Sequence, residues 1–494
     1  MDKNKHSYGL LQQTMYGMGE FFNGGAFVII NTFFAAFMTK ALGMPAFLAG
    51  TIPLVGKIWD AITDPIMGNI TDRTKSKLGA KRFYMLIGAF LSSLSFILLW
   101  IPINTDNTIL LYIFYLLMYC IFSTGFTVLM VPYNGLLPDM IDDYSLRSKF
   151  SNMRMIWSTL GSMVCGLVPT LIITDPRDKS LYIKCAVIFG ALFLFTSLMT
   201  FFGTWEREKE VVHSNLSDSF SQALSVFRCR SFKLFIGIYL AGQCGMDFVS
   251  GMAVYYVDDV LRGYENHYIT YLMGVLVVSQ LIGMLIWGPV MTKTSKKTTL
   301  LIGAPIRIIS TLGLLFFSYE GSPIVCVLIL TAGIGIGNAA TLTSIFAIMA
   351  DMADVDELIT SIRRPGTVSG MATFARKVSA GVSAGMIGLL LSLVGYDSNL
   401  AKLGKMQSAF TRNGISLIFV LLPVILVALL IYFGYKFPMK QYEFSVIKKE
   451  IARRSDLDFS DITPEEIAIC EKVTGMKYDD LWNPKNAKIG GKNR

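Results

Sequence analysis

Long apolar segments alternate with short polar connections along the whole chain. Each segment holds about 20 or more mostly apolar residues, enough for a helix to cross the roughly 30 Å hydrocarbon core of a bilayer. A glycine or a polar residue interrupts several of them. The pattern predicts twelve membrane-spanning helices, at approximately 17–42, 46–72, 82–103, 108–134, 149–174, 179–205, 232–260, 266–292, 297–318, 322–350, 367–394 and 411–437.

The composition agrees with this pattern. Of the 494 residues, 53% are apolar and only 16% are charged, whereas soluble proteins carry about 25% charged residues. The seven cysteines are scattered without a CxxC pair, so neither a disulfide framework nor a metal-ligand spacing is indicated. We therefore expect an all-α polytopic membrane protein.

Basic residues indicate which side of the membrane each connection faces. The connection Asp72–Arg82 contains five lysine or arginine residues, and the central connection and the C-terminal tail are also basic. Cytoplasmic loops are enriched in lysine and arginine, so we expect both termini in the cytoplasm. The net charge of +9 is explained by loops that face anionic lipid headgroups, and no nucleic-acid partner is expected.

The twelve segments fall into two groups of six. Residues 1–205 form a first six-helix half, 206–231 a central cytoplasmic loop, 232–437 a second six-helix half and 438–494 a soluble cytoplasmic tail. This is the plan of the major facilitator fold, in which two pseudo-symmetric halves bind a substrate near the middle of the membrane. Within the tail, Thr463–Gly475 has the residue pattern of a capped helix.

Three ionisable residues interrupt the second apolar segment, in the stretch KIWDAITDPIMGN. Lys57, Asp60 and Asp64 are three and four residues apart, so a helix brings them to one face. Each charge in the middle of a bilayer costs about 2.5–3.5 kcal/mol on insertion scales, and two close carboxylates repel each other. A bound cation or a proton relieves both costs. The alternative is an ion pair with Lys57 that only joins two helices.

Four stretches of the chain resemble one transporter family. They are YGMGEFF, IWDAITDPIMGNITDRTKSKLGAKRFY, VPYNGLLPDMIDDYSLRSKFSNMR and DMADVDELITSIRRPGTVSGMATFARKVSAG. In this order, over about 10–440, the chain is similar to the melibiose-permease-like glycoside–pentoside–hexuronide:cation symporters of the major facilitator superfamily. The resemblance implies a transporter rather than an enzyme, without a cofactor.

The resemblance also implies where the coupling cation binds. The matching residues of the second and fourth spans are Asp60, Asp64, Thr63 and Thr127. The residues expected to couple the cation to transport are Lys57, Arg376 and Lys377. The expected cation is Na⁺, with H⁺ and Li⁺ as alternatives, because two carboxylates can bind any of the three.

The expected substrate site departs from the melibiose pattern. Gly24 and Met130 occupy positions where melibiose carriers have sugar-binding aspartates, so galactoside specificity is in doubt. Glu20 lies one turn before Gly24 and either binds the sugar instead or pairs with a basic group at the cytoplasmic gate. The residues expected to contact the substrate are Glu20, Gly24, Met130, Asn134, Asp247 and Lys377.

Several charged residues near the cytoplasmic ends of the spans are expected to act as a gate. They form ion pairs that break as the two halves rock during transport. The expected gate residues are Asp72 with Arg73, Asp139 with Arg147, Arg154, and the acidic cluster Asp351, Asp354, Asp356 and Glu357 opposite Arg363 and Arg364.

Together these features predict cation-coupled symport of a glycoside, an oligosaccharide or a related sugar into the cell by alternating access. The expected partners are a sugar, a monovalent cation and the lipid bilayer, and we expect a monomer in a cell membrane, the bacterial inner membrane if the resemblance holds. One alternative is a cation-coupled symporter of a lysolipid or another amphiphile. A second is a membrane sensor that does not transport. No nucleophile–base pair, metal cluster or phosphate loop indicates an enzyme.

Overall fold

All regular structure in the described part of the chain is helical. The computed structural model describes residues 9–487, apart from positions 104, 106, 142, 143, 207–215, 265, 456, 457 and 459. Its helices are α1 (Leu10–Gly17), α2 (Gly19–Ala36), α3 (Ala46–Arg73), α4 (Ala80–Leu98), α5 (Thr108–Met140), α6 (Tyr144–Ile172), α7 (Lys179–Gly203), α8 (Leu216–Ser225), α9 (Arg230–Tyr255), α10 (Tyr268–Lys293), α11 (Lys296–Gly313), α12 (Ile324–Thr360), α13 (Pro365–Leu393), α14 (Ser398–Lys402), α15 (Ala409–Lys436), α16 (Gln441–Arg454) and α17 (Pro464–Thr474).

Each of the twelve predicted segments coincides with one or two of these helices, which confirms the all-α prediction. Among the residues described, eleven helices are long and apolar enough to cross a membrane. The predicted second span is α3, which has 28 residues but carries Lys57, Asp60 and Asp64 in its middle. The central connection contains the short helix α8, and the part of it at 207–215 lies outside the described residues.

The helices pack into two compact units that do not follow the chain order. The division of the chain into halves at the central connection remains a prediction, because packing alone defines these units. Unit 1 comprises residues 1–213, 250–274 and 381–416, and unit 2 comprises 214–249, 275–380 and 417–494.

In unit 1, α3 and the second part of α13 pack backbone to backbone. A Cβ built on Gly388 would lie 2.5 Å from the Ala46 carbonyl oxygen and 2.8 Å from Gly50 Cα. A Cβ built on Gly381, farther along the same face, would lie 3.0 Å from Lys57 Cβ. Small residues allow such close approach in membrane bundles. This packing fixes the position of the charged face of α3.

Two helices end in a wider, π-helical turn, and both of these turns lie in unit 1. Phe37–Ala41 extends α2, and Tyr256–Val260 extends α9. In both, the backbone N–H of the next residue donates to a carbonyl five residues back, from Leu42 to Phe37 at 3.1 Å and from Leu261 to Tyr256 at 3.0 Å. These turns carry charged residues: Lys40 in the first, and Asp258 and Asp259 in the second.

In unit 2, the tail packs onto the ends of the membrane helices. Its apolar residues Val446, Ile447 and Val473 share one buried cluster with Leu358 of α12 and Phe232 of α9. The predicted capped helix of the tail is confirmed as α17. The Thr463 hydroxyl accepts the Glu466 N–H, and Gly475 ends the helix with φ +77°.

The tail also satisfies backbone carbonyls at the end of α12. The Trp482 N–H donates to the Leu358 carbonyl at 2.8 Å, and the Asn483 N–H donates to the Ile359 carbonyl at 3.1 Å. The last carbonyls of a helix have no partner within the helix. The tail therefore packs as an integral part of unit 2.

Candidate functional site

The charged face of α3 makes two side-chain contacts that involve predicted cation-site residues. Lys57 Nζ donates to Asp60 Oδ2 at 3.1 Å, and Asp60 is fully buried. One turn farther along, Asp64 Oδ1 accepts a hydrogen bond from the Thr127 hydroxyl of α5 at 2.8 Å. We call Lys57, Asp60, Asp64 and Thr127 the Lys57 cluster.

Neighbouring helices hold the lysine of this cluster in place. The Lys57 ammonium lies 3.4 Å from the centre of the Phe27 ring of α2, close enough for a cation–π interaction. The backbone of α13 approaches the other part of the side chain at Gly381. Lys57 is therefore only 6% exposed, although it lies in the middle of a membrane helix.

The Lys57 cluster has the chemistry of a monovalent cation site. It brings two carboxylates and one hydroxyl to the facing sides of α3 and α5. Carboxylate and hydroxyl oxygens are ligands that hard cations prefer, and a carboxylate can also take up a proton.

Thr63, the remaining predicted cation-site residue, is turned toward its own helix. Its hydroxyl donates to the Trp59 carbonyl oxygen at 3.1 Å, and its side chain is half-buried. Such a bond to the carbonyl one turn earlier is common for threonine in helices. The part of Thr63 in cation binding remains a prediction.

Three residues predicted for substrate binding or gating meet at Arg154 of α6. Arg154 Nε donates to Glu20 Oε1 at 3.0 Å, and a second guanidinium nitrogen donates to Asn134 Oδ1 at 2.6 Å. Glu20 also accepts from Asn23 Nδ2 at 2.7 Å. The guanidinium carbon lies 4.8 Å from the centre of the Tyr133 ring. We call Glu20, Asn134 and Arg154 the Arg154 cluster.

The structure explains why no side chain is present at position 24. A Cβ built on Gly24 would lie 2.4 Å from the Ser158 carbonyl oxygen of α6, so an aspartate there would collide with backbone. Met130, at the other departure from the melibiose pattern, is 3% exposed. Gly24 thus lies in a helix–helix contact. Its part in substrate binding remains a prediction.

The predicted residues of α9 and α13 meet within unit 2. Two guanidinium nitrogens of Arg376 donate to the two carboxylate oxygens of Asp247, one of them at 2.8 Å. Such two-point pairs combine charge with fixed geometry. Lys377 follows Arg376 and is half-buried.

The acidic run at the end of α12 pairs with three different elements. Asp351 binds Lys296 of α11 at 2.5 Å, and Asp354 binds Lys448 of the tail at 2.9 Å. The third pair joins Asp356 to Arg364, at 2.7 Å, whereas Arg363 is exposed. The prediction paired this run with arginines alone and missed Lys296 and Lys448.

Of the other predicted gate residues, the structure describes the side chains of Arg73, Asp139 and Arg147. Arg147 Nε donates to the Ile141 carbonyl oxygen at 2.6 Å. Asp139 forms a short ion pair with Lys81. Arg73 is exposed, and the side chain of Asp72 lies outside the described residues.

One buried ionic group in unit 1 was missed by the sequence analysis. Lys40 Nζ lies 2.7 Å from Asp258 Oδ2 and 2.5 Å from Asp259 Oδ2, and Arg177 reaches the same Asp258 oxygen at 2.7 Å. We call these four residues the Lys40 cluster. Its signal in the sequence was a lysine in the first apolar segment and an Asp-Asp pair in the seventh.

Comparison with known proteins gives one family and full-length relatives. A family described as MFS/sugar transport protein matches residues 15–441. The putative sulfoquinovose importer of Salmonella typhimurium is 26% identical over 460 residues, covering 90% of this chain and 93% of the importer. The isoprimeverose transporter of Lactiplantibacillus pentosus is 25% identical over 423 residues, covering 83% of this chain and 85% of the transporter.

A solved structure agrees with this at the level of the fold. The crystal structure of nucleoside transporter NupG aligns with a TM-score of 0.60 and 15% identity, covering 86% of this chain and 98% of that one. Identity this low supports a shared fold and no shared substrate.

Proposed function

Because this chain belongs to the MFS/sugar transport protein family, we propose that it is a symporter that carries a glycoside or a related sugar together with a monovalent cation. The observation that carries the proposal is the Lys57 cluster. It holds two carboxylates, an ammonium and a hydroxyl in the middle of a membrane helix. Ionisable residues inside membrane spans are rare and mark ion or substrate pathways.

The cation is the driving ligand in this proposal. Na⁺, Li⁺ or H⁺ binds to the oxygens of Asp60, Asp64 and Thr127. The Thr127 hydroxyl, which donates to Asp64 at 2.8 Å, offers its lone pairs to the ion. The membrane potential assists inward movement of the positively charged ion by about 2.3 kcal/mol per charge per 100 mV. Both termini are proposed to lie in the cytoplasm.

The sugar is proposed to bind to groups that hold several hydrogen-bonding atoms together. The Arg154 cluster presents a guanidinium, a carboxylate and an amide, and the Asp247–Arg376 pair presents a guanidinium and a carboxylate. Sugar hydroxyls both donate and accept, so such mixed groups suit them. Relatives named for sulfoquinovose and isoprimeverose support a sugar as the cargo.

Coupling follows if both ligands favour the same state. When the cation raises the affinity for sugar by some factor, the sugar raises the affinity for the cation by the same factor. Arg376, which binds Asp247, and the next residue, Lys377, are proposed to link the two events. The α12 pairs are proposed to open and close with the transport cycle. The protein is proposed to act as a monomer in the cell membrane.

Uptake into vesicles tests the proposal. Labelled glycosides, acidic sugars and a lysolipid are offered with a sodium gradient, with a proton gradient and with neither. We expect accumulation of a sugar that depends on one cation, and its loss in Asp64→Asn. Asp461→Asn, the same change at an exposed position of the tail, is the control and retains uptake. Cation-driven uptake of the lysolipid alone would replace the sugar by an amphiphile, and sugar uptake without any gradient would contradict symport.

A further inference from the structure

A cleft opens in unit 2 where the membrane helices meet the tail. Its volume is about 400 Å³, and its lining comes from the last turn of α10, the first turn of α11, α12, and the tail on both sides of the α16 N-terminus. None of the residues that line it belongs to the Lys57 or Arg154 cluster. The cleft is therefore separate from the groups proposed to bind the cation and the sugar.

The cleft lies at the boundary between the apolar spans and the polar tail. Three membrane helices have their ends beside it: α10 ends at Lys293, α11 begins at Lys296 and α15 ends at Lys436. On the last two turns of α15, Tyr432 and Tyr435 are 51% and 76% exposed. Exposed tyrosines at the ends of membrane helices lie at the level of the lipid headgroups.

Part of the cleft lining is apolar. It is formed by Met291, Ile348, Phe437, Met439 and Phe444. The two phenylalanines come from different sides of the α15–α16 junction, and Ile348 comes from α12. A surface of this kind at the edge of a bilayer suits a hydrocarbon chain.

The polar part of the lining favours an anion. Lys296 and Lys440 line the cleft together with one acidic residue, Asp351, which is already paired with Lys296 at 2.5 Å. Lys297 and Lys472 add positive charge nearby, and Glu443 adds one negative charge. Two helices also begin at the cleft: Ser295 is the N-cap of α11 and Lys440 the N-cap of α16. Helix N-termini attract negative groups.

We propose that this cleft binds an anionic phospholipid from the adjoining leaflet, with an acyl chain against Met291 and Phe444 and the phosphate at Lys440. The lining combines positive charge with an apolar surface. A free anion does not need the apolar surface, and a neutral lipid does not use the positive charge. Lys296 is itself bound to α12, because it pairs with Asp351 and also donates to the Ala347 carbonyl oxygen at 3.1 Å. The phosphate is therefore assigned to Lys440.

Lipid binding to the purified full-length chain tests this. The protein is delipidated in detergent, and retention of phosphatidylglycerol and phosphatidylcholine is counted by native mass spectrometry. We expect wild type to retain phosphatidylglycerol at least about threefold better. Lys440→Gln removes that preference, and Met291→Trp, which fills the cleft, weakens binding of both lipids.

The control is Lys436→Gln, which removes an exposed lysine at the same boundary outside the cleft lining. It is expected to leave the preference unchanged. Equal loss in Lys436→Gln and Lys440→Gln would show a diffuse surface charge and overturn the proposal. Equal retention of the two lipids by wild type would overturn it too, as would glycerol phosphate displacing phosphatidylglycerol at matched concentration, since the acyl chain would then contribute nothing.

Discussion

The Lys57 and Lys40 clusters both place two carboxylates in unit 1, but the contacts of these carboxylates differ. In the Lys40 cluster, Asp258 and Asp259 each contact Lys40, and Arg177 also reaches Asp258. In the Lys57 cluster, Asp60 accepts from the Lys57 ammonium, whereas Asp64 accepts from the neutral Thr127 hydroxyl. The first cluster is thus built from ion pairs, and the second combines an ion pair with a carboxylate and a hydroxyl, whose oxygens are cation ligands.

This difference separates a structural role from a binding role. A balanced buried cluster is stable only while every partner stays in place, so it suits a contact that holds helix ends together. A carboxylate beside a hydroxyl offers the oxygen ligands that hard cations prefer. The kind of partner at each carboxylate thus distinguishes the two clusters.

The largest effect is expected from unbalancing the Lys40 cluster. Lys40→Met leaves Asp258 and Asp259 buried with Arg177 alone, and breaking a buried ion pair typically costs about 3–5 kcal/mol. The free energy of unfolding in detergent should fall by this amount. Adding Asp259→Asn should recover part of it, because the cluster is then balanced again. Unchanged stability in Lys40→Met would mean that the charges do not hold the helix ends.

A smaller effect is expected from the hydroxyl of the Lys57 cluster. Thr127→Val keeps the shape but removes the hydrogen bond to Asp64, and hydrogen bonds to charged groups contribute about 1.5–3 kcal/mol. Cation affinity, measured by calorimetry, should fall about tenfold or more. Thr127→Ser should retain it, and Thr159→Val on the exposed side of α6 is the control. An equal loss in the serine variant would assign the effect to packing.

Little change is expected where a paired lysine faces solvent. Lys448 binds Asp354 at 2.9 Å, but its side chain is 49% exposed, and exposed ion pairs contribute about 0–1 kcal/mol. Lys448→Gln should therefore shift the unfolding temperature only slightly. A loss comparable with that of Lys40→Met would contradict the ranking by burial.

The tail offers a pH test of a fully partnered carboxylate. The Thr463 backbone N–H, with Lys449 and Arg453, lowers the pKa of Glu466 to about 2. A lowered pKa stabilises the fold above the ordinary value of about 4.3. This contribution is lost as the pH falls from there toward 2. Amide hydrogen exchange of α17, corrected for the intrinsic rate, should show protection that declines through this window, and Glu466→Gln should abolish that dependence.

Local features of the fold followed directly from the sequence. The apolar segments predicted the membrane helices, and Thr463, Glu466 and Gly475 predicted the tail helix, because capping involves residues within a few positions of each other. The charged face of α3 followed from helical spacing for the same reason.

Contacts between distant segments did not follow. Lys40 and Asp258 are 218 residues apart, and no spacing rule relates them. The partner of Glu20 was left open between sugar and base, and only the folded helices bring Arg154 to it from 134 residues away. Lys448 could not be assigned to Asp354 while the tail had no known position.

Cation binding to purified protein tests the proposed role of the Lys57 cluster most directly. Na⁺, Li⁺ and protons are titrated against wild type, Lys57→Gln and Asp64→Asn, with the number bound per chain measured by calorimetry. We predict one monovalent cation per wild-type chain, tighter binding in Lys57→Gln because the cluster then carries two negative charges, and none in Asp64→Asn. Wild type that binds no monovalent cation, or Lys57→Gln with unchanged affinity, would contradict the account.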